Sequence, residues 1–178
     1  MTNKIYLTGF MGSGKSTIGP ILANTLGWDF FDLDIIIEQK EGKKISRIFE
    51  ENGEEYFRNL ETEILKDLAA RKNVIVALGG GTITNQDNID FLKKIGMIIY
   101  IKISAESAYK RLRFKRDRPI LSRNGTVNLS KTEFIGKIAQ LLSARNRYYE
   151  QADIIIETDN LPIGVTIDKI AKAIKAGK

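Results

Sequence analysis

The stretch GFMGSGKST, residues 9–17, decides the fold. It satisfies G-x-x-x-x-G-K-[ST] through Gly9, Gly14, Lys15 and Ser16, with the β-prone run KIYLT before it and an amphipathic stretch after it. A strand leading into a glycine loop and then a helix is the context in which this motif carries meaning. Glycines let successive backbone N–H groups curl around phosphate oxygens, and the helix N-terminus adds partial positive charge. Lys15 is expected to reach the β- and γ-phosphates, and the Ser16 hydroxyl to ligate Mg²⁺. Gly12, Ser13, Gly14, Lys15, Ser16 and Thr17 then form the phosphate cradle.

Outward from the loop, short β-branched or aromatic runs alternate with amphipathic stretches, the pattern of a parallel sheet flanked by helices. Strands are predicted over 4–8, 29–33, 74–78, 97–103 and 153–157, and helices over 15–26, 45–71, 87–94, 105–113, 131–151 and 163–176. In the last helix Ile163, Ile167, Ile170 and Ile174 recur at the three- and four-residue spacing of one buried face. The run over 45–71 is long for a crossover and contains Asn52-Gly53, so two helices broken there are expected.

Composition narrows the chemistry. At 178 residues and 43% hydrophobic, the chain suits one domain with a sizeable core. It has no cysteine and no histidine, which excludes disulfides, thiolate or imidazole metal sites and Ser-His-Asp triads. Proton transfer falls to Asp, Glu, Lys, Tyr or water. The formal charge of +6 suits an anionic ligand but equally serves solubility. The opening MTNKIYLTGF is too short in apolar residues for a signal or a membrane span, so a cytoplasmic protein is expected. No guanine-reading Asn-Lys-x-Asp motif is found, which points away from GTPases. The VIVAL strand runs into Gly79-Gly80-Gly81 without the acid that many P-loop ATPases place there, so the metal carboxylate must come from elsewhere.

DFFDLD, residues 29–34, supplies it. In an extended strand Asp32 and Asp34 would look to the same face at the carboxyl end of the sheet, beside the P-loop. Asp32 suits Mg²⁺, through water. Asp34 precedes the helical run IIIEQK and reads two ways: an N-cap worth about 1 kcal/mol, or a carboxylate accepting a hydrogen bond from an acceptor hydroxyl. Three consecutive glycines at a strand end are either a simple turn or a place where something approaches the backbone closely. Arg58 is flanked by Glu54 and Glu61 at helical spacing, a sound solvated salt bridge. Arg145 differs, because it falls within the apolar stripe of Phe134, Ile138, Leu141, Leu142 and Tyr149 and so needs an internal carboxylate or a bound anion. A guanidinium pairs bidentately with a carboxylate, so an acceptor bearing one is expected. The segment over 109–125 carries Arg111, Arg113, Arg116, Arg118 and Arg123 and reads as a basic flap; Phe114 is its one stacking aromatic after Tyr109, which argues against a nucleic-acid patch.

Together these residues resemble the shikimate kinase family from the first strand to the last helix. The matching features are GFMGSGKST, the DLD after the second strand, Phe57-Arg58, GGGT at 79–82, Arg118-Pro119, the R-x-x-x-Y of Arg145 to Tyr149, and TDNLP at 158–162. Nucleoside monophosphate kinases share the fold, and gluconate kinases are the nearer rival. The resemblance implies an α/β three-layer P-loop fold with a five-stranded parallel sheet in the order 2-3-1-4-5. Over residues 1–178 it implies a single kinase domain with a helical substrate-binding insertion at about 34–61 and a lid at about 111–130. It also implies phosphorylation of the 3-hydroxyl of shikimate, with ATP and Mg²⁺ as cofactors, by a monomer with no nucleic-acid or membrane partner. Carried across, Asp34, Arg58, Arg145 and the strip Gly79, Gly80 and Gly81 would bind shikimate, the two arginines on its carboxylate. Lys15, Asp34 and Arg118 would be catalytic, Ser16 and Asp32 would serve the metal, and Arg111 with Asn160 and Pro162 would lie against adenine. SRNGTVNLSK lengthens the lid relative to other members.

Overall fold

The computed structural model describes residues 3–113 and 130–176. Strands β1 (Lys4–Thr8), β2 (Asp29–Asp32), β3 (Val74–Ala77), β4 (Met97–Lys102) and β5 (Ile154–Glu157) form one parallel sheet in the order β2-β3-β1-β4-β5. This is the expected order. Ile5, Tyr6 and Leu7 of the central strand are fully buried, because a parallel sheet has helices on both faces. The helices are α1 (Lys15–Leu26), α2 (Leu33–Glu41), α3 (Ile45–Ala69), α4 (Gln86–Ile95), α5 (Ala105–Leu112), α6 (Lys131–Tyr149) and α7 (Ile163–Ala176). Among the described residues, none is long and apolar enough to cross a membrane.

Strand alternation sorts side chains into the two flanking layers. One face, built on Ile5, Leu7, Ile75, Ile99 and Ile101, packs against α1 and α7 through Ile18, Leu22, Ile167 and Ile170. The other, built on Tyr6, Val76, Ile98 and Tyr100, packs against α2, α3, α4 and the end of α6. A third cluster, with Phe10, Met11, Leu112 and Ile138, seats the P-loop on α5 and α6.

Most boundaries differ from expectation by a residue or two. The consequential difference is in β2, which ends at Asp32 rather than at residue 33. The chain turns into α2 at Leu33, so Asp32 and Asp34 do not share a strand face. Asp32 is the N-cap of α2, its carboxylate accepting from the Asp34 and Ile35 amides, and Asp34 sits in the first helical turn. The capping reading of Asp34 is thereby corrected: the cap lies two residues earlier, because a carboxylate must precede the first free N–H groups to reach them. The expected break in 45–71 is present, since Gly53 departs from helical geometry at φ 81°, ψ 175° inside α3. Residues 114–129, with Arg116, Arg118, Arg123 and most of the expected lid, lie outside the described residues.

Candidate active site

The P-loop and the glycine strip leave neighbouring strands at the same edge of the sheet. Leu7 of β1 is in register with Ala77 of β3, and the Leu78 amide donates to the Leu7 carbonyl at 2.9 Å. Gly9, Gly12 and Gly14 have φ of 147°, 78° and 104°, values that favour glycine and turn the loop back on itself. Gly14 is the N-cap of α1 and offers no capping side chain, so the first-turn amides face the loop. Lys15 Nζ donates to the Gly9 carbonyl at 2.8 Å, which keeps the ammonium inside the loop.

Ser16 Oγ donates to Asp32 Oδ2 at 2.6 Å. Asp32 thus divides its oxygens, Oδ1 capping α2 and Oδ2 held beside the P-loop hydroxyl. Hydroxyl and carboxylate oxygens are the hard donors that Mg²⁺ takes, and such a site leaves room for water and phosphate oxygens. The residues present fit the ion and the nucleotide phosphates.

On the other side of the edge, each glycine of the strip is pressed by a different side chain. A β-carbon at Gly79 would lie 2.7 Å from both Asp34 Oδ1 and Glu61 Oε1. At Gly80 it would meet Arg145 Nη1 at 3.3 Å, and at Gly81 it would meet Arg58 Nη2 at 2.5 Å. The strip is therefore a close-approach surface, and the groups that come close are Asp34, Arg58 and Arg145, brought from α2, α3 and α6. Both readings of GGG hold: the chain turns here, with the Thr82 amide donating to the Gly79 carbonyl at 3.2 Å, and side chains approach that turn closely.

The two arginines are held differently. Arg58 Nη1 pairs with Glu61 at 2.8 Å and Nη2 with Glu54 at 3.3 Å, and its guanidinium lies 5.2 Å from the Phe57 ring centre. The expected pairs are both present, and they differ: Glu54 is solvent-exposed, whereas Glu61 is only 1% exposed. Glu61 also accepts from Thr82 Oγ1. A buried carboxylate with these partners fixes where the guanidinium points while leaving other N–H donors of the five available. Arg145 meets a carbonyl: its Nη1 donates to Gly80 O at 3.1 Å.

Arg111, on α5, donates from Nη1 to the Gly12 and Ser13 carbonyls at 3.0 and 3.1 Å, against the outside of the P-loop. The loop over 158–162 is tied to the same helix, for Asp159 accepts the Ser104 amide at 3.1 Å. Burial works to raise the Asp159 carboxyl, but hydrogen bonds from Ser107 and Ser104 and the nearby Arg111 charge outweigh it and hold it below the usual carboxylate range. Asn160, next along, is in the left-handed region at φ 58°, and the Pro162 carbonyl starts α7 by accepting from Thr166. Arg111 thus lies against the P-loop, and the loop carrying Asn160 and Pro162 is tied to the N-terminal end of the same helix. Arg118 lies outside the described residues.

Sequence reading passed over Glu61 as a core residue. The signal was there: Phe57, Glu61, Ile64 and Leu68 fall at helical spacing, so Glu61 sits in an apolar stripe just as Arg145 does. It also passed over the Tyr149 hydroxyl, which donates to Gly80 O at 3.1 Å; the four-residue spacing from Arg145 puts both on one helix face, but nothing local names the distant carbonyl they meet.

Comparison with known proteins points to one family. The family model described as shikimate kinase matches residues 11–175. A protein named shikimate kinase from Chlorobium limicola is 46% identical over 170 residues, covering 96% of this chain and 85% of its own. The solved shikimate kinase from Acinetobacter baumannii in complex with shikimate superposes with a TM-score of 0.89 at 37% identity, covering 100% of this chain and 96% of that one. That from Bacteroides thetaiotaomicron gives 0.88 at 33% identity, covering 97% and 98%.

Proposed function

The chain belongs to the shikimate kinase family, and from that premise we propose how its residues divide the work of moving a phosphoryl group from ATP to the 3-hydroxyl of shikimate, a step of aromatic amino-acid biosynthesis. One observation carries the acceptor reading: an acid and two guanidiniums converge on three consecutive glycines next to the P-loop. A ring bearing a carboxylate and several hydroxyls matches that set, with Arg58 and Arg145 on the carboxylate and Asp34 on a hydroxyl. The helical unit over 34–61 is then the acceptor-binding insertion, within a single kinase domain.

Phosphoryl transfer is loose, so catalysis is chiefly placement and charge compensation. Lys15 compensates charge on the terminal phosphates, assisted by Arg118 from the lid at about 111–130. Asp34 orients the attacking hydroxyl along the transfer line and can take its proton late. Ser16 and Asp32 would hold Mg²⁺, which when bound would neutralise charge on the phosphates. Gly12, Ser13, Gly14 and Thr17 complete the cradle, and Arg111, Asn160 and Pro162 bound the adenine. Strip backbone at Gly79, Gly80 and Gly81 forms the floor under the acceptor. The enzyme works as a cytoplasmic monomer.

The test is ADP release with Mg-ATP against shikimate, gluconate, a nucleoside monophosphate and water. Shikimate-dependent release is expected, and Arg145→Ala is expected to raise KM for shikimate roughly 30-fold or more, the scale for truncating one partner of a charge pair. Faster release with gluconate or a nucleotide would overturn the acceptor assignment.

A further inference from the structure

We propose that Tyr149 is a positioning residue for the acceptor: its hydroxyl, acting with Arg145 on the Gly80 carbonyl, sets the orientation of the glycine strip and of the guanidinium beside it. The inference rests on the acceptor reading above.

The Gly80 carbonyl accepts twice, from Tyr149 Oη and from Arg145 Nη1, each at 3.1 Å. Both donors come from one face of α6, a helical turn apart. A carbonyl oxygen has two lone pairs, and here both are engaged. Because the peptide unit is planar and trans, fixing this C=O also fixes the Gly81 N–H in the opposite direction. Glycine peptides are otherwise the freest in the chain, so a run of three needs restraint from outside if its backbone is to face a ligand in one orientation.

Tyr149 is built to provide that restraint. It is fully buried, and its ring stacks on Tyr100 with centroids 4.8 Å apart and planes 19° from parallel. Tyr100 belongs to β4 and is in register with Thr8, the residue before the P-loop. The hydroxyl is therefore anchored through the sheet to the strand that carries the phosphate cradle. Loss of the hydroxyl alone leaves the stack in place and leaves Gly80 to Arg145, so the strip and the guanidinium gain freedom together.

The experiment measures KM for shikimate and for ATP, and kcat, in the wild-type protein, Tyr149→Phe and Tyr6→Phe. Tyr6 is the control, a buried tyrosine of the same core cluster whose hydroxyl has no partner among the described residues. Tyr149→Phe is expected to raise KM for shikimate roughly three- to tenfold, the worth of one neutral hydrogen bond, with kcat within about twofold and KM for ATP unchanged. Tyr6→Phe is expected to change none of the three. A folded Tyr149→Phe with unchanged KM for shikimate, or with equal rises for both substrates, overturns the proposal. Should Tyr149→Phe not fold, 3-fluorotyrosine at position 149 alters the donor strength within the intact ring; a shift in KM for shikimate alone supports the proposal and no shift overturns it. Wild-type protein that releases no ADP with shikimate would instead overturn the acceptor reading on which the inference stands.

Discussion

The P-loop and the strip at 79–81 are both glycine-rich turns at the same edge of the sheet, yet they need glycine for different reasons. In the P-loop the shared need is conformational, since Gly9, Gly12 and Gly14 all have positive φ, and at Gly9 a β-carbon would in addition lie 2.5 Å from the Ile101 carbonyl. In the strip φ is not positive at any of the three glycines, and the need is space for Asp34, Arg145 and Arg58. The contrast follows from the ligands. Phosphate groups can be held by the backbone donors of one contiguous loop. An acceptor distinguished by its individual groups needs side chains, and several can converge on a small molecule only from several elements.

The strongest way to break the comparison is Lys15→Ala. It should lower kcat about 100-fold or more while leaving the thermal midpoint within a few degrees, checked by single-substrate kinetics and calorimetry. Near wild-type turnover would remove the P-loop from the chemistry. A sharper test pairs two substitutions of one type. Gly81→Ala, whose β-carbon would collide with the Arg58 guanidinium, should raise KM for shikimate about tenfold and spare KM for ATP. Gly14→Ala, at φ 104°, should do the reverse. If both variants moved both constants alike, the two turns would act as one site.

The smallest effect separates the two sheet faces. The face beneath the strip carries Tyr6, Tyr100 and Tyr149, while the buried residues of the α1 and α7 face are aliphatic. Burial pushes the Tyr6 hydroxyl up from 10.0 to about 12 and raises Tyr100 and Tyr149 as well. A folded pKa above the unfolded one contributes stability that is complete below pH 10 and is lost as pH rises toward the folded value. Unfolding free energy should therefore fall between pH 10 and about 12. Tyr6→Phe should blunt the fall, as denaturant titrations at pH 9 and pH 11.5 would show; an unchanged slope would remove Tyr6 from the effect.

Much of this was legible before any coordinates. Strand, loop and helix around residues 9–17 followed from periodicity and glycine placement, and the break at Gly53 from a single dipeptide. Arg145 was marked by a charge in an apolar stripe, and the same rule applied to Glu61 would have marked the buried acid behind Arg58. Strand alternation would turn Asp32 and Asp34 to one face, whereas the chain enters a helix at Leu33 and separates the acids by a cap, one toward Ser16 and one toward Gly79.

The sequence alone determined what depends on neighbours in the chain: the phosphate cradle, the alternation of strands and helices, and the buried stripes, because backbone angles and side-chain periodicity are local. Only the tertiary structure decided which distant groups meet. Asp34, Arg58, Glu61, Arg145 and Tyr149 come from three helices and are brought onto the three glycines by packing on one sheet. Local propensity carries no information about such contacts, since they depend on the strand order and on how each helix crosses the sheet.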